Sequence, residues 1–137
     1  MMVLVDTPIW SLALRRRDTD LNQQEWKLAN ALAEFIREGR AQIVGPIRQE
    51  LLSGIRDETQ FKRLREQLRA FDEPALQIED YEDAAHISNK CRAAGVAGSA
   101  VDFLICAAAH RRKWAIFTTD EDFQRYSWVV PLTLLPA

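Results

Sequence analysis

Val3-Leu4-Val5-Asp6-Thr7-Pro8-Ile9-Trp10 is the stretch that decides the fold. Three apolar residues in a row are too few for a buried helix and suit a short strand covered on both faces. Asp6 ends the run, and either it or Thr7 caps a helix N-terminus. Pro8 then sits in the first helical turn, where its missing N–H costs nothing. The segment therefore predicts a strand, an acid at its carboxyl end, and a helix.

Working outward, strand-like and helix-like segments keep alternating. Asn22 to Glu38 predicts a helix with Trp26, Ala29, Ala33 and Ile36 on one face and Gly39 after it. Ala41 to Val44 predicts a second strand, and Pro46 restarts a helix carrying Ile47, Glu50, Leu51 and Ile55. Glu58 to Phe71 is amphipathic, with Phe61, Leu64, Leu68 and Phe71 in a stripe. Leu76 to Ile78 predicts a short third strand, and Asp80 to Ala94 a helix ended by Gly95. Gly98-Ser99 opens the helix that carries Asp102. Trp114 to Thr118 predicts a strand, and Trp128 to Leu135 a last extended segment, which Pro131 assigns to an edge. Alternation of this kind predicts an α/β layer fold: a mostly parallel central sheet of about 4–5 strands flanked by helices.

The 137 residues predict a single domain over 1–137, and 47% hydrophobic content supplies its core. No apolar run approaches the ~20 residues of a membrane span, and no signal peptide is visible, so a cytoplasmic location is expected. Cys91 and Cys106 belong to no CxxC pair and read as reduced, buried thiols. Two histidines, neither at ligand spacing from a cysteine, argue against zinc. A net charge of −2 does not advertise a polyanion binder. Basic residues nevertheless cluster at Arg15-Arg16-Arg17, at Lys62 to Arg69 and at Arg111-Arg112-Lys113, so a polyanionic substrate stays open.

The acids carry the functional signal. Asp6, Glu50, Asp102 and Asp120 each stand at the end of a strand-like segment or in the opening turns of a helix. Each has an ordinary alternative as a cap, a solvated helix residue or a turn residue. Together they occupy equivalent topological positions, and right-handed crossovers would gather those positions on one side of the sheet. Crowded carboxylates repel, and a hard divalent ion such as Mg2+ or Mn2+ relieves that repulsion. Such an ion lowers the pKa of a water and stabilises charge on a phosphoryl oxygen, which suits attack of water on a phosphodiester. Thr7 and Thr118 are candidates to hydrogen-bond the carboxylates from behind. Asp122 is a candidate fifth acid, with a turn residue as its alternative.

The ordered motifs resemble the PIN domain. Asp6-Thr7-Pro8-Ile9-Trp10 is similar to its first motif, Glu50-Leu51-Leu52-Ser53-Gly54 to its second, the helix led by Asp102 to its third, and Thr118-Thr119-Asp120-Glu121-Asp122-Phe123 to its fourth. The likeness spans the chain and, at this size, points to the VapC toxins of bacterial toxin–antitoxin pairs. It implies a PIN-like three-layer fold and a Mg2+- or Mn2+-dependent endoribonuclease that cuts structured RNA, commonly tRNA or rRNA. It also implies a homodimer and a cognate antitoxin. Asp6, Glu50, Asp102 and Asp120 would hold metal, with Thr118 in support. Pro8 departs from the family, which more often has a small polar residue there.

Two other readings remain. A catalytically silent PIN-like module would bind RNA or a partner without cutting. A phosphatase with Asp6 as nucleophile would need a second aspartate where Pro8 stands. Arg15 to Arg17, with Arg48 and Arg56 beside Glu50, are candidates to grip RNA. The stripe of the 58–71 helix reads as core, or as a groove for an antitoxin helix. The four tryptophans read as packing residues.

Overall fold

The computed structural model describes residues 1–136. Its sheet has four strands in the order β2-β1-β3-β4: β1 (Val3–Val5), β2 (Ala41–Gln42), β3 (Ala115–Phe117) and β4 (Leu134–Leu135). Every neighbouring pair is parallel, with Val3 opposite Ala41 on one side and Ala115 on the other. Seven helices connect or flank them: α1 (Thr7–Leu14), α2 (Gln23–Arg37), α3 (Gly45–Leu52), α4 (Glu58–Arg69), α5 (Ile78–Ala93), α6 (Ala100–Arg112) and α7 (Asp122–Tyr126). The predicted α/β architecture with a parallel sheet is the one observed.

Parallel strands need crossovers, and right-handed crossovers fix the layers. The chain runs from β1 to β2 in one direction, then returns past β1 to β3. The first path carries α1 and α2, which pack together; the return carries α5 and α6, which form the most extensive helix pair. Reversal of direction places these two pairs on opposite faces, giving three layers. It also makes the β1/β3 junction a topological switch point, where a crevice opens at the carboxyl ends of the strands.

The core forms where the sequence is apolar on both sheet faces. Val3, Leu4, Val5, Ala115 and Ile116 have no exposed surface. Burying each large aliphatic side chain stabilises the fold by about 1.5–3 kcal/mol. Trp10 is fully buried on α1, donates its indole N–H to the Val5 carbonyl at 2.9 Å, and meets Phe71 edge-to-face at 5.0 Å. Leu64 and Leu68 of α4 are core, as the stripe predicts, and Phe61 and Phe71 are half-buried. Cys91 and Cys106 are free and buried. No helix is long and apolar enough to cross a membrane.

Several expectations fail locally. Leu76 to Ile78 is not a strand. Ile78 begins α5 and is 74% exposed, while the Asp80 carboxylate accepts the Gln77 N–H at 2.7 Å. That capping bond outweighs the β-propensity of three residues. The 128–135 segment is extended only at its end: Val129 and Val130 both donate to the Tyr126 carbonyl and prolong the turn after α7. Trp26 and Trp128 are not packing residues, at 50% and 74% exposure. The buried face of α2 is set by Leu28 and Leu32, one step round the helix from the predicted stripe.

Candidate active site

Asp6 leaves β1 at the switch point and becomes the N-cap of α1. Its Oδ1 accepts the Thr7 N–H at 2.9 Å and its Oδ2 accepts the Thr118 hydroxyl at 2.7 Å. Thr118 leaves β3, the neighbouring strand, so segments 112 residues apart meet here. The Asp6 N–H also donates to the Phe117 carbonyl at 2.9 Å, which locks the strand ends in register. Burial pushes the Asp6 carboxyl above its ordinary range; the Thr118 and Thr7 hydrogen bonds oppose this, and the charges of Asp102 and Glu50 add to it.

Asp102 projects from the first turn of α6. Ser99 caps that helix by accepting the Asp102 N–H at 3.1 Å. The Tyr126 hydroxyl donates to Asp102 Oδ2 at 2.6 Å. Burial again raises the carboxyl, Tyr126 opposes it, and the charge of Asp120 raises it further. Asp120 is placed by a short relay. Its N–H donates to the Thr118 hydroxyl oxygen at 3.0 Å, and its Oδ1 accepts the Asp122 N–H at 2.9 Å. One Thr118 oxygen thus joins Asp6 to Asp120.

Asp102, Asp120 and Asp122 each offer a carboxylate oxygen within 4.8 Å of the others. Asp6 and Glu50 stand outside that trio. Glu50 is exposed on α3, near enough for its charge to be felt at Asp6. Asp122 is in the trio yet is paired with Arg125. The donor set is all carboxylate oxygen, the chemistry of a hard divalent cation rather than of zinc or copper. The Thr7 hydroxyl, next to Asp6, is buried without a partner among the described residues. An unpaired buried hydroxyl is uncommon and fits a site that takes up an ion or water.

Two residues that sequence reading misses complete the site. Tyr126 is fully buried between Phe103 and Phe123, with ring centroids 5.3 Å and 5.1 Å away. This clamp aims its hydroxyl at Asp102. Gly98 makes room for the clamp: a Cβ there would lie 2.5 Å from the Phe103 ring and 2.7 Å from the Tyr126 ring. The nearest sequence signal was the Gly-Ser pair ahead of α6, which reads equally well as a simple helix start. Arg48, a candidate RNA contact, pairs with Glu73 at 2.6 Å.

With this geometry in view, the family model for the PIN domain matches residues 3–129. The chain belongs to the PIN domain family. PIN domains are generally nucleases and usually use divalent metals. Among proteins of curated function, none matches this PIN domain by sequence. Solved structures do. FitAcB from Neisseria gonorrhoeae aligns with a TM-score of 0.75 at 19% identity, covering 97% of this chain and 96% of the other. VapBC2 from Rickettsia felis, bound to a DNA fragment from its promoter, aligns at 0.76 and 16%, covering 98% and 97%. A toxin–antitoxin complex from Klebsiella pneumoniae aligns at 0.67 and 19%, covering 98% of each. At these identities the likeness establishes a shared fold.

Proposed function

We propose that this PIN domain is a Mg2+- or Mn2+-dependent endoribonuclease, the toxin of a toxin–antitoxin pair, cutting structured RNA such as tRNA or rRNA. One observation carries the reading: Thr118 ties Asp6 to Asp120 across the β1/β3 switch point, beside the Asp102–Asp120–Asp122 trio. Carboxylates are assembled there at a cost in burial and mutual repulsion, and a bound cation offsets that cost.

Asp102 and Asp120, with Asp6 and Glu50 around them, would hold the ion; Asp122 is the fifth acid, shared with Arg125. A bound ion supplies a water of lowered pKa and a counter-charge for the phosphoryl oxygens. The protein's own share is orientation. Thr118 fixes the Asp6 carboxylate, Tyr126 fixes that of Asp102, and Ser99 holds the first turn of α6. Groups locked this way need no rearrangement when substrate arrives. The proposal includes a homodimer, a cognate antitoxin and action in the cytoplasm. The antitoxin is supported by the complexes with which the fold aligns.

The decisive experiment incubates the purified chain with bulk tRNA and rRNA in Mn2+, in Mg2+ and in EDTA. Cleavage with either ion, absent in EDTA and absent in folded Asp6→Asn and Asp102→Asn variants, is the expected result. Undiminished cleavage by both variants rejects it. RNA binding without cleavage, and without heat of Mn2+ binding, would favour the silent module instead.

A further inference from the structure

A second charged feature lies away from the acids. The carboxyl-terminal end of α1, the turn after α3 and the first turns of α4 enclose an open cleft of about 600 Å³. Arg15, Arg16, Arg17, Arg56 and Arg63 line it, against Asp57 alone among the acids of the described residues. Five arginines and one aspartate leave a formal surplus of four positive charges, in a chain whose net charge is −2. Asp57 is already used: its Oδ2 caps α4 by accepting the Gln60 N–H at 3.4 Å. Arg16 is partly neutralised and held in place, pairing with Glu25 at 2.7 Å and donating to the Asp20 carbonyl at 3.0 Å. Among the described residues, Arg15, Arg17, Arg56 and Arg63 have no carboxylate within 4.0 Å. Gly54, at φ +85°, makes the sharp turn that brings Arg56 back towards α1.

Arginines gathered in a concave, mostly polar site suit a polyanion. Each guanidinium presents a planar fork of donors that matches phosphate oxygens. The position of the cleft selects the polyanion. Asp6 caps one end of α1 and Arg15 the other. Eight residues of helix separate the acids from the cleft by about 12 Å. Glu50 lies on α3, whose far end leads into the same cleft. An acidic site repels the phosphates on either side of the bond it cuts, so affinity for a nucleic acid has to come from elsewhere on the surface.

We infer that the Arg15–Arg17/Arg56/Arg63 cleft holds backbone phosphates of the RNA substrate about one helix length from the bond being cut. The inference rests on the nuclease reading for the identity of its ligand, but the cleft binds by charge and not by chemistry at the acids.

The test uses the full chain with Arg17, Arg56 and Arg63 replaced together by Ala, and separately by Lys. Binding of a labelled tRNA is followed by anisotropy in EDTA across a salt series. The alanine variant should bind more weakly, and the slope of log affinity against log salt should fall by about three, one for each phosphate contact removed. The lysine variant, which keeps the charges, should restore most of the slope. With metal, the alanine variant should show a raised KM for tRNA with kcat retained. Cleavage of a dinucleotide too short to reach the cleft should be unchanged. Unaltered affinity and slope in the alanine variant overturn the inference. So does a glutamate-rich peptide that binds the wild-type protein but not the alanine variant and leaves tRNA bound, which would assign the cleft to an acidic protein partner. If no form of the protein cleaves RNA yet the slope still drops, the nuclease reading fails and the cleft stands. Cleavage with an unaltered slope has the reverse meaning.

Discussion

The molecule buries carboxylates in two places and treats them in opposite ways. Asp80, at the start of α5, has no exposed surface. Arg111 and Arg112 each approach its Oδ1 at 2.7 Å, Arg112 reaches Oδ2 at 2.9 Å, and the Gln77 N–H completes the shell. The Arg112 guanidinium, with these other donors, holds the Asp80 carboxyl well below the usual carboxylate range. At the switch point, Asp6 and Asp102 are pushed the other way by burial. Among the described residues their donors are neutral hydroxyl and amide groups, and the charges felt there are those of other carboxylates. Arg125, on Asp122, is the single cation paired within that group among the described residues. The fold can therefore neutralise a buried aspartate with arginines when the need is structural. At the switch point it leaves the charge without such a partner, which is what the proposed cation site requires.

Mutation should separate the two sites by readout. Asp80→Ala leaves two partly buried guanidiniums facing a void and should cost about 3–5 kcal/mol in urea unfolding. A loss below about 1 kcal/mol would mean that Asp83, 3.5 Å from Arg111, takes over, and would break the contrast. Asp102→Asn should do the reverse. RNA cleavage should fall roughly 100-fold or more, while the melting temperature holds or rises, because a charge that the fold penalises is gone. A destabilised Asp102→Asn protein would show that this carboxylate is structural too.

Tyr126→Phe removes only the hydroxyl aimed at Asp102. It should weaken Mn2+ binding by roughly 10-fold in calorimetry with little change in stability. Unchanged Mn2+ affinity would reduce Tyr126 to a packing residue. The smallest effect is on the pH dependence. The folded pKa of Asp80 lies below its ordinary value of 3.8, so its stabilisation is complete above about pH 4 and drains away as the pH falls further. Asp6 and Asp102 have raised folded values, so their penalty is relieved as the pH falls through them. Urea midpoints should change little from pH 7 to about 4 and drop below that, and Asp80→Asn should lack part of the drop. An equal drop in that variant would place the acid lability in other carboxylates.

How far the sequence could be read follows the same division. Strand-end acids are legible because a short apolar run, an acid and a helix start are all local signals, and parallel topology then dictates where they meet. Asp6 and Asp102 stand where that logic puts them. The Tyr126 contact is not legible, since it joins positions 24 residues apart through a three-ring clamp with no periodic trace. Gly98 is equally silent: its need is set by two rings that arrive later in the chain. The Asp80–Arg111–Arg112 cluster reads in sequence as a solvated helix start and a basic patch. Only the packing of α5 against α6 turns these into one buried group. Leu76 to Ile78 reads as a strand because β-propensity is a local signal, whereas the bond from the Gln77 N–H to the Asp80 carboxylate that starts α5 leaves little trace in the sequence.

The Thr118–Asp6 hydrogen bond links residues 112 positions apart, and its strand, β3, lies between β1 and β4 in the sheet. Until β3 has been synthesised and inserted beside β1, Asp6 lacks its partner and Asp120 has no relay to place it. A growing chain on the ribosome therefore holds its acids apart through most of its synthesis. They can come together only once β3 and the turn after it have been made, and a truncated product released before residue 118 would carry three of the five acids and no assembled cluster.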